Sequence, residues 1–132
     1  LPVWHDALEF MVAPEHPLAG ARSVSLERLS HEEAVLPGLN TYTGQIVKRL
    51  FDQNGLGLEV SMATNYLETI RMMASVGLGW TVLPRRMRDD SLRPLNVPGV
   101  SMERQLGVVY HRGRSLSRAA RAFIDCLQAA GD

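Results

Sequence analysis

Cysteine occurs once in these 132 residues, as Cys126, which excludes an internal disulfide and every zinc motif built on several cysteines. No apolar run approaches the roughly 18 residues of a membrane-spanning helix, and residues 1–6 carry neither the basic start nor the apolar core of a secretory signal. Net charge is missing as well. Fourteen Lys and Arg balance 14 Asp and Glu, so the chain lacks the positive field on which nucleic-acid binding depends. Neither a Gly-x-Ser-x-Gly elbow nor a Walker loop occurs, and Cys126 has no assigned histidine partner, so the chain is expected not to be an enzyme. His5, His16, His31 and His111 show no metal-ligand spacing, hence neither metal nor cofactor is expected. Together these absences point to a soluble, cytoplasmic protein.

What is present reads as an ordinary globular domain: 45% of residues are hydrophobic and 21% charged. Residues 7–13 form an expected strand ended by Pro14, Ser25 caps a short helix, and residues 34–37 form a second strand. A helix over residues 43–54 places Ile46, Val47, Leu50 and Phe51 on one face and stops at Gly55. Residues 58–63 form a strand. A helix then follows in which Asn65 caps and Glu68 reciprocates as a capping box, Tyr66 shares the face of Ile70, Met73 and Ala74, and Gly77 ends it. Residues 79–83 form a buried strand closed by Pro84, residues 85–90 a helical turn, and residues 92–97 an edge strand because of Pro94. A strand over residues 106–111 and a helix opening at Ser117, with Ala120, Phe123, Ile124 and Leu127 on one face, complete the chain. Short strands alternating with helices predict an α/β fold with a mostly parallel sheet covered on both faces.

Four segments in one order carry a family resemblance: Phe10-Met-Val-Ala-Pro-Glu-His-Pro-Leu-Ala19, then Val24-Ser-Leu-Glu-Arg-Leu29, then Thr64 to Pro84 with its Gly77-Leu-Gly79 turn, and Gln105 to Ile124. They resemble the effector-binding domain of LysR-type transcriptional regulators. The resemblance implies the type 2 periplasmic-binding-protein-like fold, with one complete Rossmann-like lobe and part of a second. On that reading residues 1–16 are a crossover strand and remnant of the first lobe, residues 17–102 the second effector-binding lobe, and residues 103–132 the return strand and C-terminal helix. The opening half of the first lobe and a winged helix-turn-helix would precede Leu1, so the chain is expected to be N-terminally truncated.

Candidate ligand residues lie where strands of an open α/β sheet hand over to helices, because free amides and the positive helix dipole there suit an anion. The first such place is Gly38-Leu-Asn-Thr-Tyr-Thr-Gly44, with Thr41, Tyr42 and Thr43. The second is Thr64 and Asn65. Each of these residues reads equally as a turn or cap residue. Trp80 is read as core or as a wall of the cleft, and Ala13 stands where some family members carry a ligand-binding hydroxyl, a departure from the pattern. Arg85, Arg86 and Arg88, and Arg112, Arg114, Arg118 and Arg121, are basic clusters read as solvated faces or as contacts to a DNA-binding region.

The expected function is effector sensing: a small anionic metabolite held between two lobes controls DNA binding by a separate winged helix-turn-helix. The resemblance implies a homodimer or homotetramer, with DNA contacted only outside this chain and no membrane partner. A periplasmic solute-binding lobe of a transporter is the alternative, to be told apart by what lies upstream.

Overall fold

The computed structural model describes residues 2–107 and 116–130. They form two compact units, Leu8–Met102 and Leu1–Ala7 with Glu103–Asp132.

In the larger unit, strand β1 (Pro2–Val12) contributes its second half. Helix α1 (Leu26–Ser30) begins at Ser25, whose hydroxyl accepts from the Arg28 amide at 3.1 Å. Strand β2 (Ala34–Leu36) leads to helix α2 (Tyr42–Gln53), and strand β3 (Val60–Ala63) to helix α3 (Leu67–Ser75). Strand β4 (Thr81–Pro84) runs into a 3-10 turn (Arg85–Met87) and the two-residue strand β5 (Arg93–Pro94). Both long helices stop where expected. Gly55 and Gly77 take φ of +68° and +91°, and the amides of Leu56 and Leu78 reach back to the carbonyls of Phe51 and Met73, the 6→1 bond of a Schellman motif.

The sheet corrects one expectation, because it is mixed rather than mostly parallel. β2 and β3 pair in parallel, and Trp80, just before β4, extends that run through a parallel bridge to Ala34. β1, however, lies antiparallel to β4, with Phe10 opposite Val82, and antiparallel to β5. Alternation of strands with helices led to the expectation of mostly parallel pairing, but β1 and β5 enter without a preceding crossover helix. Pro94 is tolerated because β5 lies at the end of the β4-β1-β5 path, where a missing N–H breaks no inner ladder. The first strand also starts earlier than expected, at Pro2 rather than residue 7.

Period-two alternation sends successive residues to opposite faces, and both faces are covered. Leu8, Phe10, Val12, Ala34, Leu36, Trp80 and Val82 join Leu29, Val47 and Phe51 in one cluster. Met11, Val35 and Leu83 join Ile70, Met73 and Ala74 of α3 in the other. Tyr66, expected on that α3 face, is 75% exposed, because it caps the helix rather than continuing it.

In the smaller unit, strand β6 (Met102–Gly107) pairs with β1, and Asp6 accepts from Arg104 at 2.6 Å. β6 begins ahead of the expected residue 106, and residues 108–111 of that expected strand lie outside the described residues, as do Arg112 and Arg114. Helix α4 (Arg118–Ala130) opens at Ser117, whose hydroxyl accepts from the Ala120 amide at 3.1 Å. Of the face expected there, Ile124 is buried, Ala120 and Leu127 are half-buried, and Phe123 is 63% exposed.

Candidate functional site

β2 and β3 are parallel neighbours, so their carboxyl ends open on the same side, and each is followed by a helix. The turn after β2 is tightly built. The Gly38 carbonyl accepts from both the amide of Thr41 (2.9 Å) and its hydroxyl (2.6 Å), and the same Thr41 oxygen accepts from the Gly44 amide at 3.1 Å. Thr41 is therefore the N-cap of α2, whose first residue, Tyr42, lies one ahead of the expected start. Gly44 makes this closure possible, since a Cβ there would lie 2.1 Å from the Gly38 oxygen.

The second tip meets the first at Gly38. The Thr64 amide donates to the Leu36 carbonyl at 3.2 Å, and the Asn65 side-chain oxygen lies 3.1 Å from where a Cβ on Gly38 would sit. Thr41, Thr64 and Asn65 thus belong to one locality. Asn65 does not cap α3, which corrects the capping box. The helix starts at Leu67 with Tyr66 as N-cap and no side-chain bond. That start puts Glu68 at the second helical position instead of the third, and it pairs with Arg71. Thr64 Oγ1 accepts the Tyr66 amide only at 3.4 Å.

Hydrogen-bond inventory decides what these groups can do. A threonine hydroxyl has one proton and two lone pairs. Thr41 has given its proton to Gly38 and one lone pair to Gly44, so it retains only acceptor capacity. Donors for an anion come instead from backbone. Among the described residues, the amides of Tyr42 and Thr43, and those of Leu67, Glu68 and Thr69, donate to no protein acceptor, and each set sits at the positive end of a helix. Asn65 is exposed and can add a side-chain amide. Thr43 is buried, and Tyr42 is 59% exposed.

The remaining expected residues lie elsewhere. Trp80 has no exposed surface. Its ring stacks on Phe51 (centroids 5.6 Å, planes 9° apart), meets Phe10 edge-on, and its Nε1–H donates to the Leu29 carbonyl at 3.0 Å. Ala13 is buried, and its carbonyl accepts the amide of His16. Neither offers surface to a ligand. His16 closes its turn by accepting the Leu18 amide on Nδ1 at 3.1 Å, and burial pushes its pKa below the usual imidazole value, against the neighbouring Glu32 charge. Arg85 and Arg88 both pair with Glu9. Asp89 is held below the ordinary carboxylate range by hydrogen bonds from the Ser91 hydroxyl and amide. Among the described residues no group of three or more His, Cys, Asp or Glu could hold a metal, and no helix is long and apolar enough to cross a membrane.

Sequence reasoning missed the part played by Gly38 and Gly44. A signal existed: glycine is a poor residue for the first turn of a helix unless something must approach closely.

A profile of the family described as LysR substrate binding domain matches residues 1–132. The chain is 34% identical over 123 residues to the RuBisCO operon transcriptional regulator of Allochromatium vinosum, covering 89% of this chain and 41% of that protein. It is 28% identical over 127 residues to the HTH-type transcriptional activator CmpR of Synechocystis, covering 92% and 42%. It therefore spans less than half the length of these relatives. The regulatory domain of Synechocystis CcmR in complex with 2-PG superposes with a TM-score of 0.83 at 22% identity, covering 98% of this chain and 65% of that one. The effector binding domain of QuiR in complex with shikimate gives 0.86 at 19%, covering 99% and 64%. Both share the type 2 periplasmic-binding-protein-like fold.

Proposed function

Since the chain belongs to the LysR substrate-binding domain family, we propose that it is the effector-sensing part of a bacterial transcriptional regulator that takes up a small anionic metabolite against the starts of α2 and α3. The observation that carries this is the meeting at Gly38 of the turns that lead into α2 and α3, with Thr41, Thr64 and Asn65 in them and unengaged backbone amides at the start of each helix. A carboxylate or similar group would accept from these amides, while a ligand hydroxyl or N–H would donate to Thr41. One protein of like fold was solved with shikimate, a hydroxylated carboxylate, which agrees with both halves of that chemistry.

In this reading the chain binds rather than converts its ligand, acts in the cytoplasm as a homodimer or homotetramer, and leaves DNA to a winged helix-turn-helix outside it. The relatives are regulators rather than transporter components. Regulation requires the effector to bind one arrangement of the full protein better than another.

Calorimetric titration with a panel of small carboxylates and oxyanions, followed by Thr64→Ala, tests the site. The variant should weaken binding by about 0.5–1.5 kcal/mol, the scale of one hydrogen bond. A ligand bound against Arg85–Met87, remote from Thr41, Tyr42, Thr43, Thr64 and Asn65, would sink the assignment.

A further inference from the structure

We propose that the larger unit carries a second ligand site, at the opposite end of α2, for a small uncharged molecule with an apolar body and a hydroxyl group. A cavity of about 400 Å³ opens there between the start of α1, the last turn of α2 and the Pro98–Gly99 turn, a volume within the usual range for small-molecule sites, about 300–1,000 Å³. Its apolar floor comes from Val24 and Leu26, both buried, and half-buried Leu50. Three polar side chains stand at its rim, and each retains unused capacity. Ser25 accepts the Arg28 amide and keeps its proton. Asn54 donates to the Leu50 carbonyl at 2.8 Å and keeps its own side-chain oxygen. Ser23 has no hydrogen bond to protein among the described residues.

The rim thus offers both donors and acceptors, which is what a hydroxyl needs. No Asp, Glu, Lys, Arg or His lines the cavity. An ionised ligand would lose hydration there and find no countercharge. The walls are fixed by the structure: the Val24 amide donates to the Asn96 carbonyl at 2.8 Å, and the Val100 amide to that of Val97 at 3.3 Å. Thr41 caps the far end of the same helix. At about 1.5 Å per residue, the 12 residues of α2 separate the two places by roughly 18 Å, so this site is spatially distinct from the effector site proposed above.

Backbone amide chemical shifts of the whole chain, followed during titration with benzyl alcohol, benzoate and benzylammonium, provide the test. Benzyl alcohol should give saturable shifts at Val24, Leu26, Asn54 and Gly99, and the two charged probes should bind there about tenfold more weakly. Ser23→Phe fills the mouth from an exposed position and should abolish saturation while the remaining amides keep their shifts. Ser23→Ala, which alters no packing, should weaken binding about threefold, the loss of one modest hydrogen bond. Absence of saturable shifts, benzoate binding as tightly as benzyl alcohol, or unchanged affinity in a folded Ser23→Phe would each overturn the proposal.

Discussion

Replacing Trp80 by Phe should destabilise the chain by about 2 kcal/mol, and the figure follows from what each ring atom touches. The Phe ring keeps the stack on Phe51 and the edge contact with Phe10, so the aromatic term survives. The indole N–H bond to the Leu29 carbonyl is lost. The Leu29 carbonyl still accepts the Glu32 amide at 3.1 Å, and the Glu32 carbonyl, which shares the indole N–H at 3.3 Å, is only partly buried, so the loss is about one net hydrogen bond, about 1 kcal/mol. The missing part of the indole leaves a void of a few tens of Å³, which at about 24 cal/mol per Å³ adds roughly 1 kcal/mol. Trp80→Ala removes the stack as well and should cost about 3–5 kcal/mol. Urea unfolding followed by far-UV circular dichroism reads both, and an unchanged slope would place the effect in the native state. If Trp80→Phe retained wild-type stability, or Trp80→Ala were no worse than Trp80→Phe, the ring would not be the centre of the core. Reduced effector affinity at unchanged stability would show that it faces ligand instead.

Gly44→Ala should lower the urea midpoint, equivalent to about 1–3 kcal/mol, because backbone must move away from the new methyl group; a stabilised variant, the common outcome of Gly→Ala inside a helix, would mean that the Gly38 turn is not closed as described. His16 is neutral when it accepts the Leu18 amide, and its folded pKa lies below the unfolded value near 6.5. The unfolded chain therefore binds the proton first, so this contribution to stability is complete above about pH 6.5 and is lost as pH falls from there through the lower folded pKa. Midpoints measured above and below it should converge in His16→Asn relative to the wild-type chain, and an equal pH slope in both would refute the assignment. With balanced charge, residues 1–132 should show no sequence-specific duplex binding in a gel shift, and specific retention of a promoter fragment would contradict the effector-domain reading.

Helix stops and the core were legible because one residue decides each: Gly55 and Gly77 take the left-handed conformation, and Val47, Phe51, Ile70, Met73 and Ala74 repeat at helical spacing. Ser25 and Thr41 were legible as caps or turn residues for the same local reason. Asn65 and Glu68 misled, since their spacing fits a capping box only if the helix begins at Tyr66, and the chain stays extended there to bring Asn65 against Gly38. Strand direction was not legible either. Phe10 and Val82 carry the same period-two signal whether they pair parallel or antiparallel, and only the tertiary path selects. The committed state of the Thr41 proton depends on Gly38 and Gly44 together, a three-body arrangement that no single residue announces.

β2 is only three residues long, yet Ala34 and Leu36 support the cluster beneath α2 while Val35 supports the one beneath α3. The two helices thus share a footing one residue wide. Substitution within β2 therefore bears on the packing under both helices rather than under one. The exposed tips, with Tyr42 and Asn65, lie outside both clusters and so above that shared floor.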